Sequence, residues 1–394
     1  MEDEPKTLLV TLTGKDRPGV TSAMFDVLAT AGVEVLDIEQ IVLRRRLLLG
    51  ILVTAPRDWK KLRDVIERTA AELDMSVEVD RGAGDNKSRR SDRSHITLIG
   101  SPLKASAMAA IAGRIADSGA NIDRIERMAR YPVTAIELHV SGAPAETLRP
   151  VLSAEAVRLG IDLAVQRESL HRRGVRLIVM DVDSTLIQGE VIEMIAAHAG
   201  CEAEVARITE SAMRGELDFT ESLVARVGLL SGVDESALDS VYETLLYAPG
   251  ARTMIRTLKR LGYKFALVSG GFTHIIEKIA AELGIDYYAA NQLEVVDGLL
   301  TGRVIGPVID RAGKAEALRR FAEQAGIPVK NTVAIGDGAN DLDMLAASGL
   351  GIAFNAKPLV RDQAKTSVNV PYLDAIVYLL GITREEVEAA DASD

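Results

Sequence analysis

The sequence predicts an α/β protein in three parts: two successive ferredoxin-like βαββαβ units, then a Rossmann-like parallel sheet with an inserted helical cap. Three observations predict it. The order strand–helix–strand–strand–helix–strand can be read twice within the first 170 residues. From Val175 onward, short apolar runs alternate with helical stretches, as buried parallel strands require. The first two of those runs are separated by a mainly helical stretch, about Ile187–Pro249, that is too long for a simple crossover.

The first unit opens on the apolar strand Thr7–Gly14. Val20, Met24, Val27 and Leu28 then repeat with helical spacing over Pro18–Gly32, with Pro18 where a helix starts and Gly32 where it stops. Val33–Arg45 and Leu47–Ala55 read as paired strands, Arg57–Leu73 as a helix and Met75–Arg81 as a closing strand. Gly82–Ser94, rich in Gly, Ser, Arg and Asp, reads as a linker.

The second unit repeats the order: strand His95–Gly100, helix Ala105–Gly119, strands Ala120–Arg130 and Val133–Gly142, helix Ala145–Leu159, strand Ile161–Glu168. Ile38-Glu39 has its counterpart in Ile125-Glu126 and Gly14 in Gly100, so an internal repeat is the simplest account. After Arg172-Arg173-Gly174 the third part begins, with strands expected at Val175–Met180, Lys264–Ser269, Thr332–Gly336 and Leu350–Phe354. The domain boundaries expected are 1–82, 94–170 and 174–394, with the cap at about 187–249.

Composition excludes several classes of function. A net charge of -11 argues against generic binding to nucleic acid or an anionic membrane surface. The single cysteine, Cys201, rules out an intrachain disulfide, and the five histidines lack zinc-like spacing. The acidic start Met-Glu-Asp-Glu-Pro-Lys has no apolar stretch of the signal-peptide kind, and no run approaches a membrane span. A cytoplasmic protein is expected.

The chemistry lies at strand ends, where open parallel sheets bind their ligands. The first of the later strands ends Asp181-Val-Asp183-Ser-Thr185, the second Ser269-Gly270-Gly271, and the third Gly-Asp337-Gly-Ala-Asn340-Asp341; Lys314 precedes a helix before the third. A phosphate monoester carries nearly two negative charges and repels a carboxylate unless they are neutralised. Magnesium prefers oxygen ligands, and Asp181 and Asp337 supply carboxylates. Lys314 adds a positive point charge, while the Ser269 hydroxyl and the Gly270 N–H hold phosphate oxygens. Asp181 is then the nucleophile, forming an acyl phosphate. Asp183, two residues on in an extended segment, lies on the same face. It is the general acid for the leaving alkoxide and then the base for water.

These residues resemble the haloacid dehalogenase-type phosphatases, whose signature runs Asp-x-Asp-x-Thr, a strand-end Ser or Thr, a Lys, then Gly-Asp-x-x-x-Asp. All four occur in that order over about residues 175–360. Within that group, Asp-Val-Asp-Ser-Thr-Leu-Ile-Gln-Gly-Glu-Val-Ile-Glu, Ser-Gly-Gly-Phe-Thr and Gly-Asp-Gly-Ala-Asn-Asp-Leu-Asp-Met look like phosphoserine phosphatases. The resemblance implies magnesium on Asp181, Asp183 and Asp337, and hydrolysis of O-phospho-L-serine as the last step of serine biosynthesis. Phosphoserine offers an ammonium, which Glu190 can pair with, and a carboxylate, which the planar fork of Arg226 can grip. Asn340 orients substrate or phosphate, and Met213 and Phe219 close the cap. Asp341 either supports the loop or joins the metal. Asp343 stands where the family often has Pro. The alternatives are a phosphatase for another small phosphate ester or a phosphoprotein, and an inactive amino-acid-sensing regulator.

The first unit's Leu12-Thr-Gly-Lys-Asp-Arg-Pro-Gly-Val20 resembles the ACT domains, regulatory modules that bind small amino acids. That resemblance implies a homodimer and an effector, serine being the natural candidate, near Gly19 and, in the second copy, Gly100. The second copy reads Gly100-Ser-Pro-Leu103 and lacks the Asp-Arg-Pro-Gly run, so an equivalent second site is open to question. Two pure dimerisation platforms are the alternative.

Overall fold

The computed structural model describes residues 6–84, 91–169, 174–213 and 218–392, with backbone alone at 210–213. The chain divides into two compact units, Met1–Arg89 and Arg90–Asp394.

The first unit runs β1 (Lys6–Lys15), α1 (Val20–Thr30), β2 (Val35–Leu43), β3 (Arg46–Thr54), α2 (Trp59–Glu72) and β4 (Met75–Ala83). Its four strands are ordered β2-β3-β1-β4, with every pair antiparallel. Alternation dictates which side is inside: Leu8, Val10 and Leu12 of β1 are buried with Leu47, Leu49, Ile51 and Val53 of β3. Helix spacing does the rest, since Val20, Met24 and Leu28 fall one turn apart and close the same core. The linker expected over Gly82–Ser94 includes residues 85–90, which lie outside the described residues.

The second unit opens with the repeat of this fold: β5 (Ser94–Gly100), α3 (Ala105–Asp117), β6 (Asn121–Ala129), β7 (Thr134–Ser141), α4 (Ala145–Leu159) and β8 (Asp162–Arg167). There follow β9 (Leu177–Met180), the helices α5 (Val191–Ala199), α6 (Glu202–Met213), α7 (Phe219–Gly228) and α8 (Ser236–Thr244), then α9 (Ala251–Arg260) and β10 (Lys264–Phe272). The chain continues through α10 (Thr273–Leu283), β11 (Tyr287–Val296), β12 (Leu299–Ile305), α11 (Arg311–Gln324), β13 (Thr332–Gly336) and α12 (Leu342–Ala347). It ends with β14 (Leu350–Phe354), α13 (Pro358–Gln363), β15 (Thr366–Val368), α14 (Ile376–Leu379) and α15 (Arg384–Asp391).

One sheet of eleven strands joins the repeat to the later part, in the order β12-β11-β10-β9-β13-β14-β15-β8-β5-β7-β6. The strands from β11 to β15 by way of β9 are parallel, and the central ones, β9, β13 and β14, are buried along their whole length because cores cover both faces. The joint is antiparallel and short, Ser367 of β15 opposite Leu163 of β8. Asp162 secures it. Its buried carboxylate accepts from the Asn369 N–H at 2.8 Å, the Asn369 Nδ2 at 2.7 Å and the Val370 N–H at 3.2 Å.

Two features depart from the expected layout. The repeat was expected as a separate domain, yet its sheet continues into the later one. The hairpin β11–β12 was not expected at all, although Asp297-Gly298 between apolar strands is a strong hairpin signal, and both residues have positive φ (51° and 76°). The hairpin ties down the helical insertion. The Gly232 N–H donates to the Leu300 carbonyl, the Leu300 N–H to the Val233 carbonyl and the Glu235 N–H to the Gly298 carbonyl, each at 2.8 Å. Among the described residues no helix is long and apolar enough to cross a membrane.

Candidate active site

The strand order reverses at β9, with β10 on one side and β13 on the other. A crevice opens at such a switch point beyond the carboxyl ends of the strands. Asp181 follows β9 directly and is held there by its own N–H, which donates to the Ile335 carbonyl of β13 at 2.9 Å. The chain then turns back sharply: Ser184 adopts a left-handed φ of 55° and its N–H donates to the Gly189 carbonyl at 3.0 Å. The two acids have different partners. The Asp181 carboxylate accepts from the Val182 N–H at 2.8 Å and meets the Lys314 ammonium at 2.8 Å. The Asp183 carboxylate instead accepts from the Val191 N–H at 2.8 Å and the Ser269 hydroxyl at 3.1 Å.

Lys314 lies on the first turn of α11, whose start is capped by Asp310 accepting from the Gly313 N–H at 2.8 Å. It is fully buried and spans Asp181 and Asp341, the latter at 2.7 Å. Burial alone would lower its pKa, but the two carboxylates outweigh that and hold it above the ordinary range. Asp341 has both oxygens engaged, one by Lys314 and the other by the Gly338 N–H at 3.0 Å, so it fixes the loop after β13. Gly336 permits this fold-back; a Cβ there would fall 2.4 Å from the Asp341 carboxyl.

Asp181, Asp337 and Asp341 each place a carboxylate oxygen within 4.8 Å of the others. Burial and the charge of Asp341 push Asp337 up to about 6, while the Thr185 hydroxyl, donating at 3.0 Å, opposes that. Burial and Asp341 likewise push Asp181 up, against the pull of Lys314. Three carboxylates crowded around one ammonium leave negative charge that an oxygen-seeking divalent cation would neutralise, so the donor set fits magnesium. The Asp183 side chain lies outside this group of carboxylates, its two oxygens being turned to Val191 and Ser269. Burial raises its pKa, which favours the protonated form.

A cavity of 640 Å³ opens over these groups, lined by Asp181, Asp183 and Asp337 on the sheet side and by Phe219 and Arg226 on the cap side. Glu190, just before α5, and Asn340 also line it, as does Gly270, whose carbonyl accepts from the buried Asn291 at 2.8 Å. Glu190 accepts from the Ser184 hydroxyl at 3.1 Å; burial, with the Asp183 charge, raises it to about 7. Phe219 sits over Gly270, where a Cβ would meet its ring at 3.0 Å. Ser269 is fully buried and accepts from the Gly271 N–H at 2.8 Å. The Met213 side chain falls outside the described residues. Gly19, with φ of 95°, stands before α1 in the first ACT-like fold, and Gly100 packs on Leu103 in the second.

Sequence reasoning missed Arg311, Lys357 and Asn291. Arg311 lines the cavity and pairs with Asp343 at 2.5 Å. Asn291 is part of the unforeseen β11 and carries no motif of its own.

Fold and site define a haloacid dehalogenase-like hydrolase preceded by two ACT domains. Residues 178–346 match the former family, and residues 6–80 and 93–166 match ACT domains. A phosphoserine phosphatase of Streptomyces coelicolor is 60% identical over 387 residues, covering 98% of this chain and 94% of its own length. A crystal structure of a probable phosphoserine phosphatase from Vibrio cholerae superposes with a TM-score of 0.58 at 36% identity, covering 73% of this chain and 86% of its own. A structure described as a phospho-aspartyl intermediate analogue of phosphoserine phosphatase has a TM-score of 0.50 at 42% identity, over 52% of this chain and 98% of its own. The chain belongs to the phosphoserine phosphatase family.

Proposed function

We propose that the chain hydrolyses O-phospho-L-serine to L-serine and phosphate through a phosphorylated Asp181, as the last step of serine biosynthesis. One observation carries the reading: the paired acids after β9 and the two groups suited to a zwitterion, Glu190 and Arg226, open onto one cavity. Similarity to the solved phosphoserine phosphatase described as a phospho-aspartyl intermediate analogue supports the covalent route.

Asp181 attacks phosphorus, the phosphorus–serine oxygen bond breaks, and the proton on Asp183 passes to the serine alkoxide. The Asp183 carboxylate then takes a proton from water as the water attacks phosphorus. The bond to Asp181 breaks, and phosphate leaves. Lys314 keeps Asp181 in place and shares its charge, while the Gly270 N–H and Ser269 hold phosphate oxygens. Magnesium, held by Asp181 and Asp337, would supply the neutralising charge that lets an anion approach an anion. Glu190 meets the substrate ammonium, Arg226 the carboxylate, and Asn340 orients the ester. Met213 and Phe219 close the cap against water.

The reading extends to a homodimer in the cytoplasm whose ACT domains take an amino acid, serine first, near Gly19 and Gly100. Its support is the pair of family matches over those folds.

Phosphate release across a panel of monoesters, with and without magnesium and with added free amino acids, tests all of this. Phosphoserine should be preferred, magnesium required and serine should alter the rate. Equal turnover of esters lacking the amino-acid group would refute the assigned substrate.

A further inference from the structure

The second ACT domain carries a polar cluster that phosphoryl transfer does not use. Its sheet has two unlike faces. Ile96, Leu98, Leu138 and Val140 pack with α3 and α4. Residues of the other parity face away from those helices. There His95 stands opposite His139 in the β5–β7 register, and Glu137 stands between Thr97 of β5 and Glu126 of β6.

We propose that His95, His139, Glu137 and Glu126 bind a divalent transition-metal ion of the zinc class. Zinc takes imidazole nitrogens and carboxylate oxygens at about 2.0–2.2 Å, which in tetrahedral geometry sets neighbouring donors about 3.3–3.5 Å apart. His95 Nδ1 is 3.1 Å from Glu137 Oε1. His139 Nε2 is 3.5 Å from that same oxygen and 3.5 Å from Glu126 Oε2. One donor atom each from His95, Glu137 and His139 lies within 4.8 Å of the others.

Neighbouring groups aim the donors, as partners of metal-bound residues do. The Thr97 hydroxyl donates to Glu137 Oε2 at 3.4 Å and leaves Oε1 turned to the histidines. Arg124 holds Glu126 Oε1 at 2.8 Å and leaves Oε2 turned to His139. The His139 Nε2 atom is buried and faces the carboxylates of both Glu126 and Glu137. The His139 ring reaches the surface, its side chain 31% exposed, while the Glu137 side chain is 4% exposed.

Ligand type separates this site from the catalytic acids. A mixed nitrogen and oxygen set selects zinc over magnesium, and an all-carboxylate group suits the harder ion. The face that bears the cluster continues through Ile99, Ala135 and Ala164 into the core shared with the catalytic sheet. A bound ion would therefore brace three strands on the side that meets the catalytic part.

The test uses the full chain, stripped by chelator, saturated with magnesium and given zinc before gel filtration and elemental analysis. About one zinc per chain should be retained. His95→Gln and His139→Gln should lose it, Thr97→Val should weaken binding about tenfold, and Asp337→Asn should keep it. Circular dichroism and magnesium-dependent phosphatase activity report whether the histidine variants fold. Should they fail to fold, anomalous scattering at the zinc edge from wild-type crystals decides: a peak between the imidazoles supports the site, and none refutes it. Loss of zinc from the wild type, or undiminished zinc in both histidine variants, would overturn the proposal and leave a hydrogen-bonded cluster only.

Discussion

At Arg226 the chemistry of specificity reduces to one guanidinium. A charge-assisted hydrogen bond to a substrate carboxylate is worth about 1.5–3 kcal/mol, or roughly 10- to 150-fold in affinity. Arg226→Ala should therefore raise KM for phosphoserine by about that factor and change little for phosphoethanolamine, which lacks the carboxylate. Equal losses on both would remove Arg226 from substrate binding. Glu190 gives a pH signature. Its pKa is raised to about 7 in the free site, so the anion needed to pair with an ammonium is lost as pH falls through that value. The preference for phosphoserine over an ester without an amine, as kcat/KM, should decline below pH of about 7, and Glu190→Gln should abolish the dependence. Lys314 differs in kind, being wholly buried between two carboxylates. Removing one partner of a buried pair costs about 3–5 kcal/mol. Lys314→Met should lower stability in urea unfolding by that order and abolish turnover. At this scale the sequence was most informative, because the motif residues carry their own chemistry. The double engagement of Asp341 was hidden, since it depends on Gly336 letting the loop fold back. So was the sharp turn at Ser184 that follows the two acids.

The elements that were legible are those with local signals. Helical spacing of Val20, Met24 and Leu28, and alternation in β1, mark the ACT folds; wholly apolar runs mark β9, β13 and β14. The elements that were missed owe their form to distant partners. β15 has three residues and exists as a strand because β14 and β8 flank it. Its joint with β8 rests on Asp162, a buried carboxylate receiving three hydrogen bonds. Asp162→Ala leaves those donors unpaired and should destabilise the second unit by about 2 kcal/mol. A drop in the denaturant midpoint at constant m-value checks it, and an unchanged midpoint would show that the joint contributes nothing. The hairpin β11–β12 matters for the same reason, since its backbone bonds to Gly232, Val233 and Glu235 fix the end of the cap.

For the whole molecule, the consequence of the shared sheet is an unequal partition. The first ACT domain forms a unit by itself, whereas the second is built into the catalytic part. A chain beginning at residue 90 should fold and hydrolyse phosphoserine. One beginning at residue 174 exposes the edge of β15 and apolar surface that Ile99, Ala135 and Ala164 otherwise cover, and should be aggregation-prone. Size-exclusion chromatography and activity of the two truncations distinguish the cases. The central claim, a phosphorylated Asp181, is open to a chemical trap. Borohydride reduces an aspartyl phosphate to homoserine. Enzyme quenched with it during phosphoserine turnover should carry homoserine at position 181, read by peptide mass spectrometry. An unmodified Asp181 under active turnover, or homoserine at position 183 instead, would contradict the account.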